Sequence, residues 1–182
     1  MATAKTGSFY LTETVTLPNG ALTNSRVMST LDLSAYVNVP TGQAVAIESV
    51  DFIYQVSDDY GSNVSGFLGG NGAVTVQLTD LNPGTVFVRA DDQSLIASGA
   101  INIDDTNNIA SHTSDLYPDN FGPTSLSEAF MVVNDTLYLT AGNDAATVVG
   151  PIYVTARIKA RVVKLSQKDW MAIAIQSTAS DN

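Results

Sequence analysis

Ile152-Tyr153-Val154-Thr155-Ala156-Arg157-Ile158-Lys159-Ala160-Arg161-Val162-Val163-Lys164-Leu165 is the stretch that decides the fold. Val154, Ala156, Ile158, Ala160 and Val162 alternate with Tyr153, Thr155, Arg157, Lys159 and Arg161, so one side is apolar and the other polar and basic. Alternation with a period of two is the signature of a β-strand that buries one face. Upstream segments repeat it. Phe9 to Leu17 places Phe9, Leu11, Val15 and Leu17 on one face, interrupted by Glu13, and Pro18-Asn19-Gly20 ends it as a turn. Arg26 to Leu33 gives a second strand through Val27, Ser29, Leu31 and Leu33. Gln43 to Val56 gives a long third one, with Val50, Phe52, Tyr54 and Val56 on one face and Ile47, Ser49, Asp51, Ile53 and Gln55 on the other.

The middle of the chain is predicted as shorter strands separated by turns. Ala73–Thr79 and Thr85–Arg89 are strands on either side of Asp80-Leu81-Asn82-Pro83-Gly84, and Ser94–Ile103 holds another. Asp104 to Thr124 is predicted as a long polar loop containing His112. Ser125-Leu126-Ser127-Glu128 matches a capping box. Asn134-Asp135 is predicted to join Phe130–Val133 and Thr136–Thr140 as a hairpin, and Gly142-Asn143-Asp144 to form a turn. Trp170, Met171, Ile173 and Ile175 suit a short helix or a strand equally.

Composition supports an all-β reading. The 182 residues include 19 Val and 19 Thr, β-branched types that favour strands. Only Glu13, Glu48 and Glu128 among the 18 acidic residues are glutamate; the rest are aspartates, which favour turns and caps. Eight to ten strands with no helix long enough for a βαβ unit imply a sandwich or a barrel. The length suits one domain. With no cysteine and one histidine, disulfides, thiolate chemistry, Cys-ligated zinc and reactions needing two imidazoles are excluded. Gly66 to Gly72 lacks the lysine and helix of a phosphate-binding loop, and no nucleophile elbow surrounds any serine. No apolar run approaches a spanning helix, and Met1–Gly7 lacks the apolar core of a signal peptide, so synthesis in a cytosol is expected.

Charge is unevenly placed. The formal net charge is −10, which argues against a general nucleic-acid binder. Residues 1–156 carry 16 acids and 3 bases, a net of −13, whereas residues 157–182 carry 5 bases and 2 acids, a net of +3. Arg157, Lys159 and Arg161 point the same way, and Lys164 and Lys168 follow. Three readings stand for these five: the solvated face of a protected edge strand, a surface facing phosphate of nucleic acid or lipid headgroups, or a contact with acidic loops of a neighbouring copy. Trp170, with Ile173, suits either an anchor in a neighbouring subunit or packing on its own domain. The pairs Asp58-Asp59 and Asp104-Asp105 are candidate calcium ligands, without the spacing of a dedicated calcium loop.

Three features together resemble a viral major capsid protein of the single jelly-roll kind, from a prokaryotic icosahedral virus. Leu31-Asp32-Leu33-Ser34-Ala35-Tyr36 leads through a Pro-Gly turn region into Ala44–Val56. The Asn134-Asp135 turn precedes the final strand through Ile152–Leu165. The two ends look like arms outside the strand core. The resemblance implies a jelly-roll β-sandwich of about eight antiparallel strands over 9–165, an N-terminal arm at 1–8 and a C-terminal arm at 166–182. It implies a non-enzymatic virion protein whose copies close a shell around the genome or an internal membrane, with other virion proteins such as a vertex protein as partners. Met1–Ser8 has one lysine, unlike the strongly basic arms of many shells that condense RNA, which points to a DNA genome. The alternative is a calcium-assisted, lectin-like module using Tyr60, Tyr117 and Phe121 on a glycan. A glycosidase is the third reading, but no pair of carboxylates stands out.

Overall fold

The computed structural model describes residues 2–57, 66–114 and 129–178. Ten strands follow in order: β1 (Thr3–Ala4), β2 (Phe9–Leu17), β3 (Arg26–Asp32), β4 (Gln43–Val56), β5 (Gly72–Thr79), β6 (Leu95–Asp104), β7 (Ile109–Ser114), β8 (Phe130–Val132), β9 (Thr136–Asp144) and β10 (Ile152–Lys164). A 3-10 turn at Val39–Thr41 precedes β4, and helix α1 (Gln167–Thr178) follows β10.

All pairings are antiparallel and fall into two sheets. In one, β10 lies between β4 and the pair β2 and β1, with β8 beyond β4; the other runs β3-β9-β5-β6-β7. Four of the pairings nest: β5 with β6, β4 with β8, β3 with β9 and β2 with β10. That is one long hairpin rolled up so that its layers divide between two sheets, which makes the chain a jelly roll. β1 and β7 are additions to its edges.

The core lies between the sheets. Val15 and Leu17 from β2, Val45, Ile47 and Val50 from β4, and the apolar row of β10 meet Val74, Val76 and Leu78 of β5 and Leu137, Leu139 and Ala141 of β9. The alternation predicted for β2, β5 and β10 therefore points into the core. A second, smaller cluster lies on the opposite side of the first sheet. There Ala44, Ala46, Val133, Val163 and Leu165 are covered by Trp170, Ile173 and Ala174 of α1 and by Ala2.

Several expectations change. β4 does not keep one alternation along its length. Its register with β10 shifts between Lys159 and Ala160, with Ser49 opposite Lys159 and Ile47 opposite Ala160, leaving Glu48 as the extra residue of a bulge. Ile47 and Val50 consequently both face the core, although the simple pattern put them on opposite sides. Thr85–Arg89 is not a strand. The Gln77 side chain occupies its backbone instead, donating from Nε2 to the Val88 carbonyl at 2.9 Å and accepting the Val88 amide at 2.8 Å. The predicted long loop contains β7, paired along β6 from Ile109 to Ser114.

Asn134-Asp135 does not close a hairpin. β8 pairs with β4 and β9 with β3 and β5, so this turn carries the chain from one sheet to the other. Gly142–Asp144 is the end of β9 rather than a turn, and Asn143 is buried there with Nδ2 donating to the carbonyls of Leu22 and Ala146. The capping box at 125–128 lies outside the described residues.

Candidate functional site

The outer face of the β2–β10–β4 sheet gathers most of the residues singled out by charge. β10 is hydrogen-bonded to β4 over its whole length, and on its other side to β2 and, at its end, to β1. It is an interior strand, so its bases do not protect an edge, and that reading is corrected.

The bulge in β4 determines what two of these bases do. It turns Glu48 onto the outer face between Lys159 and Arg161, where the residue is 3% exposed. The Arg161 guanidinium forms a close ion pair with Glu48 Oε1, Lys159 Nζ stands 3.5 Å from Oε2, and Ser8 Oγ donates to Oε2 at 2.9 Å. Arg161 Nη2 also donates to Ser8 Oγ at 3.2 Å. Two cations and a hydroxyl thus surround one buried carboxylate, which offsets the cost of taking its charge out of water. Both bases remain partly exposed, their side chains at 32% and 24%, so the cluster presents a net positive charge outward.

The remaining bases are placed differently. Arg157 lies with its guanidinium 4.6 Å from the Tyr10 ring centroid, a cation–π contact on the exposed face. Lys164 is exposed at the end of β10, opposite Gln43 on one side and Thr3 on the other. Lys5 reaches the same corner, donating to Gln43 Oε1 at 3.1 Å. Lys168 is exposed, in the first turn of α1. Sheet geometry therefore brings together Arg157, Lys159 and Arg161 on one face, whereas Lys164, one residue past Val163 of the outer cluster, is out of phase with them and stands with Lys5 at the end of the sheet.

Trp170 and Ile173 both pack on this chain's own second cluster. Trp170 Nε1 is buried there without a hydrogen-bond partner. Met171 and Ile175, four residues apart, are 57% and 61% exposed on the same helix.

Of the candidate calcium ligands, Asp104 accepts from the Asn107 amide at 3.1 Å and from its Nδ2 at 2.6 Å. The Asn107 donors hold its carboxyl below the usual carboxylate range. Asp105 belongs to the same turn, bonded through its carbonyl to the Asn108 amide. Asp58, Asp59, Tyr60, Tyr117 and Phe121 lie outside the described residues. Among the described residues no three His, Asp or Glu side chains converge on a point. His112 is exposed on β7, edge-on to the Tyr54 ring at 5.8 Å.

Sequence reasoning passed over Glu48, Ser8 and Tyr10. Glu48 carried a signal, as a lone carboxylate within the apolar run from Val45 to Val50. Ser8 and Tyr10 carried none, because their partners are about 150 residues away in the chain.

No family model and no curated protein matches the chain. Two solved structures are similar to it in backbone. A chain of the unassembled KI polyomavirus VP1 pentamer is 10% identical, with 87% of this chain and 95% of that one covered and a TM-score of 0.40. A chain from Desmodium yellow mottle tymovirus is 7% identical, with 89% and 91% covered and a TM-score of 0.34. Neither likeness assigns a function to this chain.

Proposed function

We propose that the chain is a self-assembling viral capsid subunit that acts in the virion and carries no catalysis. The observation that carries the proposal is the nested strand pairing, since an eight-stranded rolled hairpin is an architecture used for capsid and lectin domains. Charge distribution favours the first of these. A body of net −13 and a last strand and tail of net +3 give identical copies complementary surfaces. Glu48 neutralises one of its two bases and Asp51 stands opposite Arg157, so the positive face rests on Arg157 and one unit of charge from the Lys159–Arg161–Glu48 cluster, with Lys164 and Lys5 at the end of the sheet beside it. In this proposal that face meets phosphate of the genome or of lipid headgroups, or an acidic loop of the next copy. The shell is icosahedral, belongs to a virus of a bacterium or archaeon, and recruits other virion proteins at its vertices. Loop aspartates hold calcium between subunits, and Trp170 and Ile173, through α1, support a subunit contact.

Electron microscopy and sedimentation of the purified chain, at low and high salt and with calcium or chelator, test this. Particles or closed rings are expected, weakened by salt if the basic face mediates contact. A monomer under every condition overturns the proposal, and glycan binding by that monomer establishes the lectin reading instead.

A further inference from the structure

A groove of about 260 Å³ lies between α1, β8 and the segment that follows β5. Its polar end is Asp80, with Gln93 and Gln176; its walls are apolar, formed by Phe130, Met131 and Ile173. Asp80 is 2% exposed, and its Oδ1 has no hydrogen-bond partner. Oδ2 receives only a long approach, 3.5 Å, from Asn134 Nδ2. The backbone of Asp80 is satisfied, its amide donating to Ser94 and its carbonyl accepting from Asn134. The unmet need is therefore that of the side chain alone. Burial pushes the carboxyl up to about 7, with a further push from the like charge of Asp92. Asp80 is the one ionisable group among the described lining residues, and those contributed by β8 and α1 are uncharged.

A buried carboxylate oxygen without a donor, in an open groove with no base among its described lining residues, selects for a cation from outside. The donor set narrows its chemistry. Calcium takes six to eight oxygens, and the described lining side chains supply only the Asp80 carboxylate and two amide carbonyls. A guanidinium pairs best with both oxygens of a carboxylate at once, and here Oδ2 already faces Asn134 Nδ2, leaving Oδ1 alone for a ligand. An ammonium brings three N–H groups, matching Asp80 Oδ1, Gln93 Oε1 and Gln176 Oε1 in number. Gln93 and Gln176 already meet through a 3.1 Å hydrogen bond, which keeps both amides at the groove. Phe130, Met131 and Ile173 offer apolar contact to methylene groups behind the charge.

We propose that this groove binds a primary ammonium group on an aliphatic stem, with Asp80 as its anchor. The ammonium belongs either to a free alkylamine or to a lysine side chain of a second copy of this chain. The site does not depend on the capsid reading.

The test is a titration of the full chain with n-butylammonium chloride, followed by carboxyl carbon NMR of Asp80 and by amide shifts of Gln93 and Met131. n-Butanol and sodium chloride serve as controls. A saturable shift is expected for the amine alone, tighter at pH 8 than at pH 6 because the carboxylate must be ionised. Asp80→Asn should weaken it by at least about tenfold, the worth of a charge-assisted hydrogen bond. This variant removes only a buried charge, and circular dichroism verifies its fold. No saturable shift, equal binding by the variant, or saturation by calcium chloride in place of the amine overturns the proposal. Sedimentation with and without the amine separates the two sources. Loss of self-association in amine and in Asp80→Asn identifies a neighbour's lysine, and unchanged self-association beside NMR binding identifies a free amine.

Discussion

Replacing Asp80 by asparagine should make the protein more stable, and by an amount that depends on pH. The carboxyl is buried, Oδ1 is unpartnered, and its pKa is raised from 3.8 to about 7. An acid whose pKa is raised by folding binds more protons in the native state than in the unfolded one between those two values. Stability then falls as pH rises through that window. A rise of about three units corresponds to about 4 kcal/mol at 1.36 kcal/mol per unit, fully lost above about pH 8. Asparagine keeps the shape and an acceptor for Asn134 Nδ2, and it does not ionise. Wild type and variant should therefore be of similar stability at pH 4, and the variant should lead by about 4 kcal/mol at pH 8. Urea unfolding at several pH values, followed by the fluorescence of the single tryptophan and by circular dichroism, measures this difference directly. The other carboxylates titrate equally in both proteins and cancel. Parallel stability profiles from pH 4 to pH 8 would refute the reasoning, because they would mean that Asp80 reaches solvent or a donor.

Glu48→Gln should destabilise the fold by about 1–3 kcal/mol by leaving Lys159 and Arg161 without their counter-charge, their partial exposure to water limiting the loss; chemical denaturation measures it, and high salt should narrow the gap to wild type. Gly42 sits at φ 67° with the Leu165 carbonyl oxygen 2.5 Å from where a Cβ would stand, so Gly42→Ala should cost about 1–3 kcal/mol and disturb the junction between β10 and α1, visible as reduced amide protection at Leu165. Trp170→Phe should cost under about 1 kcal/mol, since it removes an indole N–H that has no partner, whereas Trp170→Ala should cost about 3 kcal/mol and release α1, seen as a loss of helical signal.

Strands were legible where one face is buried without interruption. The predicted bounds of β2 and β4 coincide with the observed ones, and those of β10 differ by one residue at Leu165. Faces were legible only while the register stayed regular. The bulge at Glu48 arises from pairing with β10, a partner more than 100 residues away, and no local pattern announces it. The same limit explains Asn134-Asp135. Turn chemistry showed that the chain reverses there, but not that it changes sheets. Thr85–Arg89 has strand propensity, and the buried Gln77 amide took the place of a neighbouring strand. β7 was hidden because Ile109-Ala110-Ser111-His112 is exposed and lacks an apolar alternation. Of the charged site, the basic row was legible and its buried counter-ion was not, since a side chain's partner across a sheet is set by register rather than by spacing. The groove at Asp80 had been read only as a turn.

The nesting of the rolled hairpin also sets the order in which the molecule can be made. β10 is synthesised after the other strands described, yet it forms the interior of its sheet, pairing with β2 and β4. Across that seam Thr14 of β2 meets Thr155 of β10, their hydroxyls 2.8 Å apart over 141 residues of chain. Until β10 emerges from the ribosome, β2 and β4 have no shared neighbour and expose open edges. Such long loop closure makes for slow folding, in milliseconds to seconds, and open edges in the interim are sites of misassembly. Seating β10 closes both edges at once, so the step that completes the sheet is also the one that removes these sites.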